Sequence, residues 1–381
     1  MAWAVLADTV PIYALYALLF EEAGLSTAQI STLFLLWSAT GIVAEVPSGA
    51  LADRLSRRGA LCASGLLQSV AYVLWTLFPG YAAFAAGFVL WGLGGAFASG
   101  ALAALLYDGL AAARATEHYP RIYGRVTAAG LVSQVPAALA ATALFGRGGY
   151  DLVGWASVVA CAGSATLAAL LPEAPRSPGA AGDGADGHGA GYLATLRDGL
   201  SEAAWRPAVR AAVVAVAAIG ALDGLEEYFP LLAADWGVPA SAVPTALLAV
   251  PMAGAAGAAL GGRLARLGGR TLAALLGTAV GVLTAAGLWR RPAGVVAIAV
   301  AYFLYQLVLV VVDARLQERI QGPARATVTS VASLGTDLGC IALYAAWALG
   351  QPAAVAAMAA VMALALPRLL RPPALTPGAA G

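Results

Sequence analysis

Residues 49–58 read Gly-Ala-Leu-Ala-Asp-Arg-Leu-Ser-Arg-Arg and lie between two long apolar runs. Four charged residues, Asp53, Arg54, Arg57 and Arg58, crowd this short turn in a chain that is only 11% charged. An ionised group at the centre of a bilayer costs at least ~2.5–3.5 kcal/mol. A lipid-spanning chain therefore gathers its charge where it surfaces, and this turn marks a polar surface between two spanning helices.

The composition around the turn agrees. The chain has 381 residues, 61% of them hydrophobic, and a mean hydropathy of +0.81. An ordinary soluble domain is ~45–50% apolar and ~25% charged. The chain reads as an integral membrane protein throughout, not as a soluble domain with an anchor. Its net charge of +1 gives no argument for or against nucleic acid, and all 21 basic residues are Arg. Cys62, Cys161 and Cys340 lie far apart, each in an apolar run. They have neither metal-ligand nor disulfide spacing and read as buried structural thiols. Residues 3–20 lack a basic leader and a small-residue cleavage site, so they read as a retained first span.

A spanning helix needs ~20 mostly apolar residues. Twelve stretches qualify: 3–20, 27–50, 60–78, 81–107, 125–146, 150–171, 207–232, 239–260, 271–289, 292–314, 324–348 and 351–370. Breakers separate them, among them Pro79-Gly80, the glycines between Gly146 and Gly149, and Gly237-Val238-Pro239. The predicted fold is all-α, with an N-terminal six-helix bundle at 1–171 and a C-terminal one at 207–381. Residues 172–206 form a Pro- and Gly-rich cytoplasmic linker, with a short surface helix predicted at 192–204. Placing the N-terminus inside leaves just Arg147, Arg290 and Arg291 on the outer side. The positive-inside rule therefore puts both termini in the cytoplasm. An internal repeat supports two related halves. Gly49-Ala-Leu-Ala-Asp-Arg-Leu aligns with Gly262-Arg-Leu-Ala-Arg-Leu-Gly, and Gly24 meets Gly237 at the same offset. Parallel six-helix repeats around a central cavity follow from this period.

The turn at 49–58 resembles the signature between helices two and three of the major facilitator superfamily, Gly-x-Leu-Ala-Asp-Arg-x-Gly-Arg-Arg. Ser56 stands where Gly is usual, and the second copy has Arg266 in place of the Asp. Trp91-Gly-Leu-Gly-Gly is similar to the family's fourth-helix motif, with Phe88 at the position of an Arg. Arg325-Ala-Thr-Val-Thr-Ser330 opens the eleventh span as in bacterial members. The Gly-Pro motif of antiporter fifth helices is not matched by Gly130 or by Val135-Pro136. The resemblance spans the whole chain and points to a drug-efflux-like branch. It implies a twelve-helix secondary transporter whose halves rock around a midplane site. It also implies a cytoplasmic gating motif of Gly49, Asp53, Arg54, Arg57, Arg58 and Arg325. Asp53 would latch the halves near Arg325, helped by the positive end of the eleventh helix.

Ionisable residues inside spans are functional candidates by default. Asp8, Asp223, Glu226, Glu227 and Asp337 are such residues. Asp223 and Glu226 are spaced i, i+3 and share a face; Glu227 lies nearer the outer interface. A carboxyl group taken out of water holds its proton more tightly. A group so tuned takes a proton on one side and gives it up on the other, which is what proton coupling requires. For Asp337 a helix–helix hydrogen bond is the competing reading. No basic residue falls mid-span, so cations or protons are favoured over anions. Tyr13, Tyr16, Trp37, Tyr302 and Tyr305 offer stacking and cation–π surfaces, although aromatics in spans also simply pack. Gln68, Gln134 and Gln306 either read a solute or bridge helices. Glu45 is expected to join the charged turn. Asp108, beside Arg114 and Arg121, and Asp313 with Arg315 are expected to form structural ion pairs.

These residues predict proton-linked export of a small amphipathic, cationic or neutral compound from a bacterial plasma membrane by a monomer. The expected partners are the solute, protons and the lipid bilayer, with no nucleic acid. Sugar, metabolite or natural-product transport without proton antiport is the alternative. No phosphate-binding lysine loop exists, since the chain has no Lys, and neither a cofactor nor a metal is expected. An enzyme would need a convergent nucleophile, acid–base pair or metal cluster, and a sensor an output domain. The sequence offers neither.

Overall fold

A computed structural model describes residues 1–54, 56–172, 201, 205–264, 266–320, 325–350 and 352–371. The side chains of Asp53, Arg54 and Arg325 are not among those described, so the Asp53–Arg325 latch lies outside the described residues. Nearly all of the linker, with the helix expected at 192–204, lies outside them too.

Among the described residues every regular element is helical, and eleven helices are long and apolar enough to cross a membrane. The longest, Thr116–Ala169, has 54 residues and holds two crossings. It breaks at Gly148 (φ −153, ψ 23) and Gly149 (φ 59, ψ −153), conformations no α-helix contains. The positive φ at Gly149 suits a residue without Cβ. Twelve crossings result, and the chain is a multi-pass membrane protein.

Among the described residues the first and seventh spans are not continuous, and the eighth is interrupted at Leu248, between Val243–Leu247 and Ala249–Arg263. The first runs as Ala2–Asp8, a 3-10 turn Pro11–Ala14, and Tyr16–Glu22. Pro11 has no N–H for the Ala7 carbonyl and its ring crowds that oxygen, which ends the first segment. The seventh runs as Pro207–Gly220, a 3-10 stretch Ala221–Tyr228, and Phe229–Asp235. Pro230 acts in the same way on the Glu226 carbonyl. Hydropathy alone reads both as single spans, because the breaks retain apolar neighbours.

The chain forms two compact units. One comprises Met1–Ser177, Glu227–Leu248 and Trp347–Gly350; the other comprises Pro178–Glu226, Ala249–Ala346 and Gln351–Gly381. The first unit is built around aromatic rings. Phe20, Phe34, Tyr72, Trp75, Phe84 and Phe88 are all fully buried, and the Trp75 indole N–H donates to the Phe84 carbonyl (3.3 Å). At one end of this unit Arg57 pairs with Asp108 and donates to the Ala104 carbonyl (3.0 Å). The partner of Asp108 is thus Arg57, not Arg114 or Arg121. Antiparallel neighbours place the start of Arg57–Leu77 beside the end of Tyr81–Ala112. Arg114, at φ 53, already belongs to the chain's reversal.

In the second unit, Gly257 and Gly261 of Ala249–Arg263 lie against the backbone of Gly294–Arg319, and Gly254 lies under the Tyr302 ring. A methyl group on Gly257 would run into the Phe303 carbonyl oxygen. Small residues let membrane helices approach this closely. Arg315 donates to the Leu267 carbonyl (3.2 Å) and lies 3.9 Å from Glu318, so its acidic partner is Glu318 and not Asp313. Arg319 ties three helix ends together. It donates to the carbonyls of Ala208, Leu369 and Arg371, each at 3.0 Å.

Candidate functional site

In the second unit the 3-10 stretch Ala221–Tyr228 sets the arrangement. A 3-10 helix has three residues per turn, so side chains three apart eclipse each other. Asp223 and Glu226 consequently project in one direction, toward the tenth span, Gly294–Arg319. The Tyr302 hydroxyl lies 3.2 Å from Asp223 Oδ1 and 3.1 Å from Glu226 Oε2. Gln306, one turn further on, donates from Nε2 to the same hydroxyl oxygen (3.1 Å). The rings of Tyr302 and Tyr305 pack at 5.6 Å. Tyr305 is 6% exposed, and its hydroxyl donates to the Gly220 carbonyl at 3.4 Å. Cys340 faces the Ala221 carbonyl (3.5 Å). Side chains of the tenth and eleventh spans therefore receive the carbonyls at the start of the 3-10 stretch. Asp223 and Glu226 are exposed although they lie well inside a 29-residue apolar span. Among the described residues no ion pair reaches either of them. Asp337 is exposed on the eleventh span, within Thr327–Ala348.

In the first unit, Asp8 ends the first helical segment and is exposed. Its Oδ2 occupies the space a side chain on Gly130 would need, so a bare glycine of the fifth span seats the carboxylate. Asp8 has no hydrogen-bond or ion-pair partner among the described residues. The 3-10 turn carries Tyr13, whose hydroxyl lies 3.3 Å from Gln68 Oε1; Gln68 Nε2 in turn donates to Ser64 Oγ (3.3 Å). The Tyr13 ring stacks on Trp91 (5.0 Å, 17°), and Trp91 stacks on Trp37 (5.3 Å, 25°). All three rings are half-buried. This is a ladder of π faces beside a carboxylate that has no ion-pair partner among the described residues.

The structure separates the sequence candidates. Asp223, Glu226, Tyr302, Tyr305 and Gln306 come together in the second unit, and Asp8, Tyr13 and Trp37 share the first. Tyr16 does not join them: it is 5% exposed and packs against Phe20, Phe34, Trp75, Phe88 and Trp91 as a core residue. Gln134 is exposed and makes no side-chain hydrogen bond among the described residues. Glu227 is half-buried and belongs to the first unit. Arg57 is committed to Asp108, whereas Arg58 is exposed. Glu45 accepts from the Ser99 hydroxyl at 3.2 Å. Cys161 is buried, while Cys62 and Cys340 are half-buried, and all three are free thiols. Two participants escape the sequence reading. Trp91 reads there as part of a motif; the signal was a large ring set in a Gly-rich stretch, Gly92, Gly94 and Gly95. Gly130, read as a motif mismatch, is the seat of Asp8. The described residues contain no cluster of three or more metal-ligating side chains.

Solved structures of similar shape are transporters. A nucleoside transporter NupG, in mutant form, superposes with a TM-score of 0.74 at 14% identity, covering 97% of this chain and 96% of that one. A D-xylose-proton symporter gives 0.70 at 12% identity, covering 96% and 94%. A bacterial homolog of the human lysosomal transporter Spinster, inward-facing and unoccupied, gives 0.67 at 17% identity, covering 97% and 91%. At these identities the likeness speaks for the fold. None of the curated proteins compared with the chain matches it. The sequence itself carries the assignment further, because residues 2–344 match the family model of that fold; the chain belongs to the Major Facilitator Superfamily.

Proposed function

We propose that the protein is a proton-coupled secondary transporter that exports a small amphipathic compound, cationic or neutral. In this reading it sits in a bacterial plasma membrane as a monomer with both termini cytoplasmic. The halves 1–171 and 207–381, joined by the linker 172–206, rock so that a midplane site faces each side in turn. The observation that carries the reading is the meeting of Asp223 and Glu226 on Tyr302. A tyrosine hydroxyl has one hydrogen to give. Two carboxylates close to it are both satisfied when one of them carries a proton and donates in return. The pair then holds one proton between two acids, with no cation bonded to it among the described residues. A proton bound mid-span and exposed is what a coupled carrier must load and unload.

The first unit supplies the complementary half of the reading. Asp8 offers negative charge, and the Tyr13–Trp91–Trp37 ladder offers π faces, to a cation or a flat amphipathic ring. A second reading is transport of a neutral sugar or metabolite. The Tyr13–Gln68–Ser64 chain supports it, as does the likeness to a D-xylose-proton symporter and a nucleoside transporter.

The test begins with a thermal-shift screen of organic cations, neutral amphipathic compounds and sugars on purified protein, since binding stabilises the folded state. The strongest stabiliser is then followed in proteoliposomes. An imposed pH gradient is expected to drive its flux. Asp223→Asn and Glu226→Gln are expected to lower that flux about tenfold or more, equivalent to ~1.4 kcal/mol on the barrier, while binding persists. Flux indifferent to the gradient overturns proton coupling. Full coupled flux in both variants overturns the residue assignment.

A further inference from the structure

At the end of the first unit that holds Arg57 and Asp108, several helix ends surround a cavity of about 270 Å³. Trp3, Leu102, Leu106, Leu110, Ile122 and Leu171 line it. Its inner side is continuous with the core, to which Trp3, Leu105 and Val126 belong. Apart from Trp3, no side chain of the lining carries nitrogen or oxygen. Trp3 is 9% exposed, and its indole N–H is buried without an acceptor among the described residues. A buried indole N–H usually finds a partner. The cavity is smaller than the ~300–1,000 Å³ of sites for drug-sized ligands, which suits a slender chain better than a whole compound.

The rim differs in character from the interior. Arg121 and Arg125 each stand one position before a wall residue, Ile122 and Val126. They are spaced i, i+4 on the helix Tyr119–Ala169 and so share one face beside that wall. Both are exposed, and no ion pair holds either among the described residues. Of the acids nearby, Asp108 pairs with Arg57, and Glu117 lies 3.9 Å from His118. At the same helix ends the Tyr119 ring meets Tyr107 edge-on (5.6 Å) and stacks on Tyr123 (5.5 Å, 19°). Such rings gather at the level of lipid head groups. An apolar cavity with one free donor thus lies at head-group depth, beside uncommitted positive charge.

We propose that this cavity is a binding site for one anionic phospholipid. An acyl chain fills the apolar interior, the Trp3 indole N–H donates to an ester carbonyl, and the phosphate rests on Arg121 and Arg125. Basic residues near a membrane surface favour anionic head groups. Gly109 keeps the interior open, since a Cβ placed there would meet no atom within 4 Å. The inference stands apart from the transport reading and needs neither a solute nor a proton gradient.

Native mass spectrometry of the full chain in detergent tests it, with phosphatidylglycerol and phosphatidylcholine added in equal amounts. The parent is expected to retain one phosphatidylglycerol about tenfold over phosphatidylcholine. Gly109→Leu fills the cavity and is expected to lose the retained lipid while melting no lower than the parent without lipid. Arg121→Gln with Arg125→Gln is expected to keep one lipid but to hold both head groups equally. These two substitutions lie on the surface, so they carry the test even where Gly109→Leu does not fold. Ester-linked phosphatidylglycerol is expected to outlast its ether-linked analogue in the parent, and Trp3→Phe, which keeps a ring and drops the N–H, to erase that difference. Equal retention of both head groups in the parent overturns the proposal, as does retention in a folded Gly109→Leu at the parental level. Oleate retained in preference to phosphatidylglycerol overturns a phospholipid as the occupant.

Discussion

Tyr302 has one hydroxyl hydrogen and two carboxylate neighbours, and Gln306 holds its oxygen from the other side. Removing that hydroxyl leaves Asp223 and Glu226 facing each other without a mediator. Tyr302→Phe is therefore expected to fold and to bind the solute. Its gradient-driven flux should fall about tenfold, since hydrogen bonds to charged groups contribute ~1.5–3 kcal/mol. Initial flux rates in proteoliposomes at matched protein density check this, and parental rates would show that Tyr302 is mere packing. At this scale the sequence was partly legible. Acids inside apolar runs stand out by their cost, so Asp8, Asp223, Glu226 and Asp337 are visible without a structure. Their partners are not. Tyr302 lies 79 residues from Asp223, and Gly130 lies far along the chain from Asp8. Nothing local in either stretch names the other. Proximity in sequence likewise pointed Asp108 to Arg114 and Arg121, whereas antiparallel packing brought it to Arg57.

Among the helices, the spans themselves are legible because ~20 apolar residues are a physical requirement of the bilayer. What hydropathy passes over is their continuity. Pro11 and Pro230 interrupt the first spans of the two halves; Pro11 opens the 3-10 turn that carries Tyr13, and Pro230 stands just after the 3-10 stretch that carries Asp223 and Glu226. Broken helices at corresponding places in repeated halves are where membrane carriers build their sites. The prolines were in plain view, but a proline within an apolar run also occurs in helices that merely kink. Pro47, Pro136 and Pro367 stay inside continuous helices here. Close packing then fixes what the breaks display. Gly254 and Gly257 bring the eighth span against the tenth and so hold Tyr302 beneath the acids. Gly257→Ala forces a methyl into the Phe303 carbonyl and is expected to cost about 1–3 kcal/mol, typical of overpacking. A lowered melting temperature in detergent, with Gly262→Ala as a control in open space, checks this. Equal melting of the two variants would contradict the packing account.

Across the whole molecule, the two units repeat a theme with changed chemistry. In the first, the turn after the second span is tied to the end of the fourth by Arg57 and Asp108. In the second, the end of the tenth is tied to the turn after the eighth by Arg315 and the Leu267 carbonyl. The chemistry of the candidate sites differs as well, with π faces and one acid in the first unit and two acids on one tyrosine in the second. A carrier that binds a solute largely on one and a proton largely on the other exchanges them through its conformational cycle. The central claim is that the two fluxes are linked. Proteoliposomes loaded with a pH-sensitive dye, without an imposed gradient, measure this directly when the strongest stabiliser from the screen is added outside. The account predicts a substrate-dependent change of internal pH in the parent protein and little or none in Glu226→Gln. Solute accumulation with no accompanying proton movement in the parent would contradict it.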